Sequence, residues 1–454
     1  MSDVKLNIVN GKVCDVPFIS DYKSLSDLGF YPWIVAFKRN GIEHYKERFN
    51  NKSVKPEISS FVSGNKFFIG EESILPSLKN LIKYKTFGIE AYTLVLINGK
   101  YVAEISDEDD LPFSVYSDGL YNCLIDNPNF LEHRLIEGEN VFSSLNSAYL
   151  YDGLVLKVAK GEHLDKPIHI ISINISDELV CFNCPRIYIE LEENAKLDLL
   201  ESSLSFDNDK FFENRVLQVE LKNGAELNHY RFYNNSVNSL FVENDFIECG
   251  DMAKYNSFTS SLKSGIVEVN YNFNILNGCE VNSYTSVYSN SASVQDFKAN
   301  IHHIGSNANS NVDFVGVSDD ESKILFKTNL KTSRLLENIK TNQLSKILLL
   351  SEKSAGQILP FQNIGSENVS AFHGAVVSGI KKSDLFFLQT RGIDESLARE
   401  IIYKSFLLSV FSNVKNSLVF DEFVKFYNFF QSFHKVLPFR VFHTLGAIPN
   451  APKR

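Results

Sequence analysis

The sequence predicts a mainly β chain with helical ends, on three observations. Strand-like alternation runs almost unbroken from about residue 146 to 379. Within that run one hexamer recurs five times. After Lys382 the two-residue period gives way to helical spacing. These observations divide the 454 residues into a helical or mixed N-terminal region, 1–135, a β core, 136–380, and a helical C-terminal region, 381–454.

In the N-terminal region, Asp21–Asn40 spaces its apolar residues unevenly around Leu25, Leu28, Phe30, Trp33, Ile34 and Phe37, which suits short helices. Ala91–Ala103 reads as two strands around Asn98-Gly99, a strong hairpin signal because both residues tolerate positive φ. The acidic run Asp107–Asp110 lacks the spacing of a calcium loop and reads as a solvated turn.

In the core the hexamers are Ala195-Lys-Leu-Asp-Leu-Leu200, Ala225-Glu-Leu-Asn-His-Tyr230, Ala253-Lys-Tyr-Asn-Ser-Phe258, Cys279-Glu-Val-Asn-Ser-Tyr284 and the degraded Ala308-Asn-Ser-Asn-Val-Asp313. Their starts lie 30, 28, 26 and 29 residues apart, a period that marks units stacking on their neighbours. Each follows a turn signal, such as Asn223-Gly224 or Asn277-Gly278. Asp198, Asn228, Asn256, Asn282 and Asn311 share one register and predict an amide ladder if equivalent strands stack. Two architectures satisfy the pattern. Local turn chemistry favours an antiparallel meander; the long period favours a coil of parallel strands.

Beyond the core, Ser383–Arg391 forms a short helix that Gly392 closes, and Asp394 caps the next. That helix carries Leu397, Ala398, Ile401, Ile402 and Leu408 at helical spacing. With only Arg399 and Lys404 as cations near its start, it suits packing or protein docking better than DNA reading. The final Pro449–Arg454 reads as a loose tail.

A net charge of −10 and a pI near 5.6 argue against nucleic acid or an anionic membrane as the main partner. No basic stretch followed by a long apolar run opens the sequence, and Ile347–Leu350 and Phe406–Phe411 are too short to span a bilayer. Six cysteines over this length do not suggest a disulfide framework, so a reducing cytoplasm is the expected compartment.

Gly11-Lys12 and Gly99-Lys100 lack the rest of a phosphate-binding loop, and no nucleophile elbow or His-Glu-x-x-His motif occurs. Cys181-Phe-Asn-Cys184 has zinc or redox spacing but no second ligand pair, so both thiols read as buried structure, as does Cys279. His302-His303 lies on a predicted strand, where alternation sends the rings to opposite faces. His373, in Asn368-Val-Ser-Ala-Phe-His-Gly-Ala-Val-Val-Ser-Gly379, sits where strands give way to helices; by composition alone it reads as an ordinary histidine.

Leu348-Leu-Leu-Ser351, Ala371-Phe-His-Gly-Ala375 and Leu385-Phe-Phe-Leu-Gln-Thr-Arg-Gly-Ile393, in that order, resemble the SufB/SufD family of iron–sulfur cluster assembly proteins. Gln343, Leu96–Tyr101, Leu145–Ala148 with Asp152–Val155, Lys166–His169 and Pro185-Arg186 extend the resemblance over about residues 90 to 410, leaving a diverged N-terminal domain. The match is closer to the SufD side. It implies a right-handed parallel β-helix core flanked by N-terminal and C-terminal α-helical regions.

The resemblance further implies a non-enzymatic scaffold that pairs with a SufB-like subunit, docks a SufC-like ATPase and supports iron acquisition and nascent cluster assembly. A homodimer is one form open to the chain when alone, and the sequence does not decide its free oligomeric state. The ATPase would dock on the C-terminal helices, through Leu385, Phe386, Leu388, Arg391, Gly392, Ile393 and Ile401. His373 matches the family's candidate iron or cluster ligand at the SufB interface. Cofactors would be a transient cluster or iron there, with none held tightly by the isolated chain. Relatives often carry cysteine at the position of Ala371 and serine at that of Phe372, so any contact through this loop rests on His373 and the partner. The alternatives are a secreted-type β-helical polysaccharide-acting enzyme, whose nearest acidic cluster is Asp319-Asp320-Glu321, or a SufB-like chain that itself holds a cluster.

Overall fold

Strands Lys196–Ser205, Glu226–Asn234, Lys254–Lys263, Glu280–Ser289, Asn309–Ser318, Ile339–Leu349 and Val369–Gly379 stack in parallel within a ten-stranded sheet. The chain alternates between these and Phe211–Leu221, Leu240–Cys249, Ile266–Ile275, Val294–His303, Lys323–Thr332 and Ala355–Ile364, which stack in a twelve-stranded sheet. The result is a parallel β-helix of about 7 turns with helices at both ends. Of the two architectures open to the sequence, the coil is the one formed. The computed structural model describes residues 4–6, 18, 30–50, 54–69, 89–176, 179–205, 208–414 and 417–429. The predicted helix residues Leu25 and Leu28, and the tail Pro449–Arg454, fall outside these.

The hexamer is the rung of this coil. Ala195, Ala225, Ala253, Cys279 and Ala308 are fully buried where the chain enters each rung, a corner too tight for a larger side chain. The residue before each is left-handed: Asn194 (φ 58), Gly224 (φ 72), Met252 (φ 61), Gly278 (φ 67) and Asn307 (φ 57). A side chain at either glycine would have to displace the tip of the side chain stacked beside it. A Cβ on Gly224 would lie 2.4 Å from Asn194 Oδ1, and one on Gly278 2.2 Å from Met252 Sδ. The Asn-Gly pairs therefore turn the coil from rung to rung instead of closing hairpins.

The amide ladder forms on the outward face. Asn228 Nδ2 donates to Asp198 Oδ1 at 2.8 Å, Asn256 Nδ2 to Asn228 Oδ1 at 2.9 Å, and Asn282 Nδ2 to Asn256 Oδ1 at 2.9 Å. Asn342 repeats the bond to Asn311. A carboxylate only accepts, so Asp198 at the foot sets the direction of the amides up to Asn282; Asn311 instead donates to Asp313 Oδ2 at 3.3 Å, which separates it from that run. Beside the ladder Tyr230, Phe258 and Tyr284 stack with ring centroids 5.3 and 5.1 Å apart.

Helices cover part of each sheet's outward face. They are α1 (Pro32–Asn50), α2 (Pro56–Gly64), α3 (Leu120–Asp126), α4 (Pro128–Leu131), α5 (Val141–Ala148), α6 (Lys382–Gln389), α7 (Glu395–Leu408) and α8 (Ser417–Phe429). Ile42 and Tyr45 of α1, Ile58 of α2 and Phe142 of α5 pack with Phe182 and Phe212 of the twelve-stranded sheet. Arg186 ties this layer down. It is fully buried, bonded to Asn146, Ser147 and the Ile136 carbonyl, all neutral, and burial lowers its pKa to about 9. At the other end, Leu407 of α7 and Phe423 of α8 lie against Tyr230, Phe232 and Phe258 of the ten-stranded sheet.

The Asn98-Gly99 turn closes a hairpin, with Leu96 opposite Tyr101. Its first strand, Tyr92–Ile97, pairs in parallel with Ile168–Asn174, so the ten-stranded sheet begins well before residue 136. The buried run from Leu94 to Ile97 explains why that strand stacks on the coil. The acidic run after it forms a short turn, with Asp107 Oδ2 accepting from Thr93 N at 2.9 Å. No helix among the described residues is long and apolar enough to cross a membrane.

Candidate functional site at the open end of the coil

Val369–Gly379 pairs only with Ile339–Leu349, and Ala355–Ile364 only with Lys323–Thr332, so among the described residues both sheets end on an open edge. Interior rungs bury their apolar side chains on the next rung. Here no described strand follows, and Phe372 is 58% exposed; Val376, Val377 and, on the other sheet, Phe361 and Ile364 are exposed too. An apolar strand with free backbone donors and acceptors is a ready template for another chain.

His373 lies on this last strand. It stands opposite Gln343, whose side chain is buried in the coil interior with Oε1 accepting from Thr328 Oγ1 at 2.7 Å. Register therefore puts the His373 imidazole on the interior face, at the mouth of the coil, flanked two residues away by Ala371 and Ala375. Neither alanine has a donor atom. No group of three or more His, Cys, Asp or Glu among the described residues is placed to hold a metal ion. His373 is thus the one metal-ligating side chain on this face of the last strand, and its same-face neighbours offer no second donor.

The other predicted residues separate into buried and accessible sets. Leu388 and Ile401 pack with Ala398 in the α6–α7 junction, with Leu385 and Ile393 half-buried around them. Phe386 is 67% exposed, Gly392 forms the left-handed turn (φ 80), and the exposed Arg391 guanidinium stacks 3.5 Å from the Phe387 ring centroid. The predicted cap is present, with Asp394 Oδ1 accepting from Leu397 N at 3.0 Å. Cys181 is fully buried and Cys184 partly so, and burial pushes the Cys181 thiol up to about 12, which leaves it unreactive. His302 and His303 do face opposite sides. His303 is in the interior at 2.9 Å from Ser310 Oγ, and His302 lies half-exposed on the outside. The Asp319–Glu321 cluster is a turn whose Asp320 carboxylate accepts from Ser291 N at 2.9 Å.

One group of ionisable residues escaped the sequence reading. Inside the coil, Arg215 pairs with Glu201 and Glu213, and Arg231 with Asp245, all essentially without solvent exposure. His229 Nε2 lies 2.9 Å from Glu201 Oε2, and Tyr233 donates to Glu243. Burial would raise Glu201, but Arg215 and His229 outweigh it and hold the carboxyl down to about 2. Burial and then Arg231 hold His229 down to about 4. Burial together with neighbouring Asp245 raises Glu243 to about 8. Glu201 is therefore ionised at neutral pH, His229 is neutral and Glu243 keeps its proton. The readable sign was charge at the inward positions of Phe211–Leu221 and Glu226–Asn234, where alternation calls for apolar residues.

The family description "SUF system FeS cluster assembly, SufBD core domain" matches residues 173–406, and "SufBD protein N-terminal region" matches residues 34–170. The second match extends the likeness through α1, well before residue 90, where the motifs began. An iron–sulfur cluster assembly SufBD family protein of Synechocystis sp. is 23% identical over 325 residues, covering 69% of this chain and 72% of the relative. The chloroplastic protein ABCI7 of Arabidopsis thaliana is 24% identical over 344 residues, covering 72% and 71%. The iron–sulfur cluster assembly protein SufD of Plasmodium berghei is 24% identical over 250 residues, which cover 53% of this chain and 18% of that protein. With half of its length inside the core-domain match and the parallel coil formed by the same residues, this chain belongs to the SufBD family of iron–sulfur cluster assembly proteins.

Proposed function

We infer that this chain is a SufD-type scaffold subunit, non-catalytic by itself, that pairs with a SufB-type subunit and docks a SufC-type ATPase. The observation that carries this reading is the open apolar edge at Val369–Gly379 with His373 at its centre. A second coil end laid against it would pair the free backbone edge, bury Phe372, Val376 and Val377, and enclose the imidazole. The iron or nascent cluster is then cargo held between two subunits. His373 contributes a neutral nitrogen ligand and the partner contributes the thiolates that Ala371 cannot. Exposed Phe386 and Arg391 on α6–α7 supply an aromatic and arginine surface for the ATPase, the residue types that anchor protein interfaces.

Affinity purification of the tagged chain from its native host tests this. The expected result is stoichiometric recovery of a SufB-type chain and an ATPase, with neither ATP hydrolysis nor cluster transfer by the tagged chain alone. Recovery of neither partner overturns the reading. A stable visible absorption spectrum after anaerobic reconstitution of the isolated chain would instead identify it as the cluster-holding type.

A further inference from the structure

On the outward face of the twelve-stranded sheet, cations usually have an acidic partner. Lys323 lies 3.7 Å from Glu57, and Lys55, between α1 and α2, bonds Glu268 at 2.5 Å. Towards the open end this pattern breaks down. Lys298 stands directly opposite Lys327; further along the same strands Lys331 stands opposite His302, which burial and then Lys331 itself shift towards the neutral form. The nearest carboxylate to Lys298 is Glu268 at 3.9 Å, already engaged by Lys55. Lys327 and Lys331 form no ion pair with any described residue. Like charges opposed across neighbouring strands destabilise a sheet, so in a chain of net charge −10 this arrangement needs an explanation.

The groups between the cations provide one. A column of amides, Asn272, Asn300 and Asn329, runs between the Lys298–Lys327 pair and Lys331, with Asn300 Nδ2 donating to Asn272 Oδ1 at 2.8 Å. At the next rung the amide is replaced by Phe361. A groove of about 460 Å³ opens at this point, lined by Lys298, Asn300, Lys327, Asn329, Phe361 and Asn363. That volume is in the range of small-molecule sites. Strand geometry spaces the cations about 5 Å across the sheet and about 13 Å from Lys327 to Lys331 along it.

We propose that this groove binds a small multivalent oxyanion, such as a polyphosphate or polycarboxylate. Lys298 and Lys327 bracket one charged end and Lys331 reaches the other. The carboxamides donate hydrogen bonds between them, and Phe361 walls off the end nearest the open edge. The cations form a compact block closed by an aromatic ring, which suits a small molecule better than an extended acidic protein segment.

Calorimetric titration of the full chain with sodium triphosphate and, separately, with citrate at matched ionic strength tests the proposal and distinguishes the two anion chemistries. Saturable binding is expected with at least one probe. Lys327→Ala/Lys331→Ala should weaken it by about tenfold or more, because two charge-assisted contacts are lost. Without anion, the thermal midpoint of that variant should be unchanged or raised, since the opposed charges are relieved; a purely structural role would lower it. Three outcomes overturn the proposal: no saturable heat with either probe, equal affinity in the variant, or binding only to a polyglutamate peptide. Equal weakening by Lys353→Ala, outside the groove, also overturns it.

Discussion

His373 and Gln343 face each other in parallel register on the last two strands of the ten-stranded sheet, yet their surroundings are opposite. Gln343 is 1% exposed and bonded within the interior; His373 is open to solvent because no described strand stacks beyond it. A ligand there costs the fold little and is available to whatever closes the coil.

Replacement of His373 by alanine should therefore change the unfolding free energy by no more than about 0.5 kcal/mol, as for other exposed side chains away from special features. Co-purification with partners should persist, while maturation of cluster-dependent enzymes falls in cells relying on this chain. Unaltered maturation in a complementation assay would remove His373 from the ligand set.

Phe372→Asp combined with Val376→Asp places two carboxylates on the exposed apolar edge. The isolated chain should fold with an unchanged thermal midpoint, whereas pairing through this edge should weaken by about 2 kcal/mol or more per buried anchor. Light scattering coupled to size exclusion, with the SufB-type partner present, reads this directly. Retained pairing would move the interface elsewhere.

Arg215→Met leaves Glu201 and Glu213 in the interior without their shared guanidinium. Breaking a buried ion pair from one side costs about 3–5 kcal/mol, and urea unfolding should show a loss of that order. A loss near zero would mean that water reaches the interior of the coil at this level.

Burial, with a smaller contribution from His302, holds His303 down to about 4. The unfolded imidazole binds a proton below about 6.5. Between these values the unfolded state carries the extra proton, so falling pH favours unfolding and the stability due to neutral His303 is lost. Glu243, raised to about 8, acts oppositely, its folded form keeping a proton that the unfolded form releases. Comparing the wild-type chain with His303→Gln isolates the histidine. Urea midpoints at pH 7 and pH 4.5 should differ more for the wild type, and equal differences would contradict the assignment.

Much of the architecture was legible because one rung repeats. Asp198 and Asn256 occupy the same slot in different rungs, and the ladder that their spacing predicts is formed. Opposite faces for His302 and His303 followed from strand alternation alone. His373 was different. Its residue type and neighbours carried no signal beyond family resemblance, because what distinguishes it is an edge, and whether a further strand follows in space is not written into the strand itself. Leu388 and Ile401 illustrate the converse. Both lie in the segment matched to partner docking, yet packing against Ala398 encloses them, and only neighbours such as Phe386 reach solvent.

By itself the sequence determined the rung: a small residue at the corner, a turn signal before it, an amide outside and a period near 28 residues. Each of these depends on a few consecutive residues and on stacking identical units. The tertiary structure alone decided which charges meet. Arg215 and Glu201, 14 residues apart in sequence, pair across the interior; Lys298 and Lys327 oppose each other on the outside. Those encounters depend on the register between strands and the width between two sheets, and the periodicity of a single strand records neither.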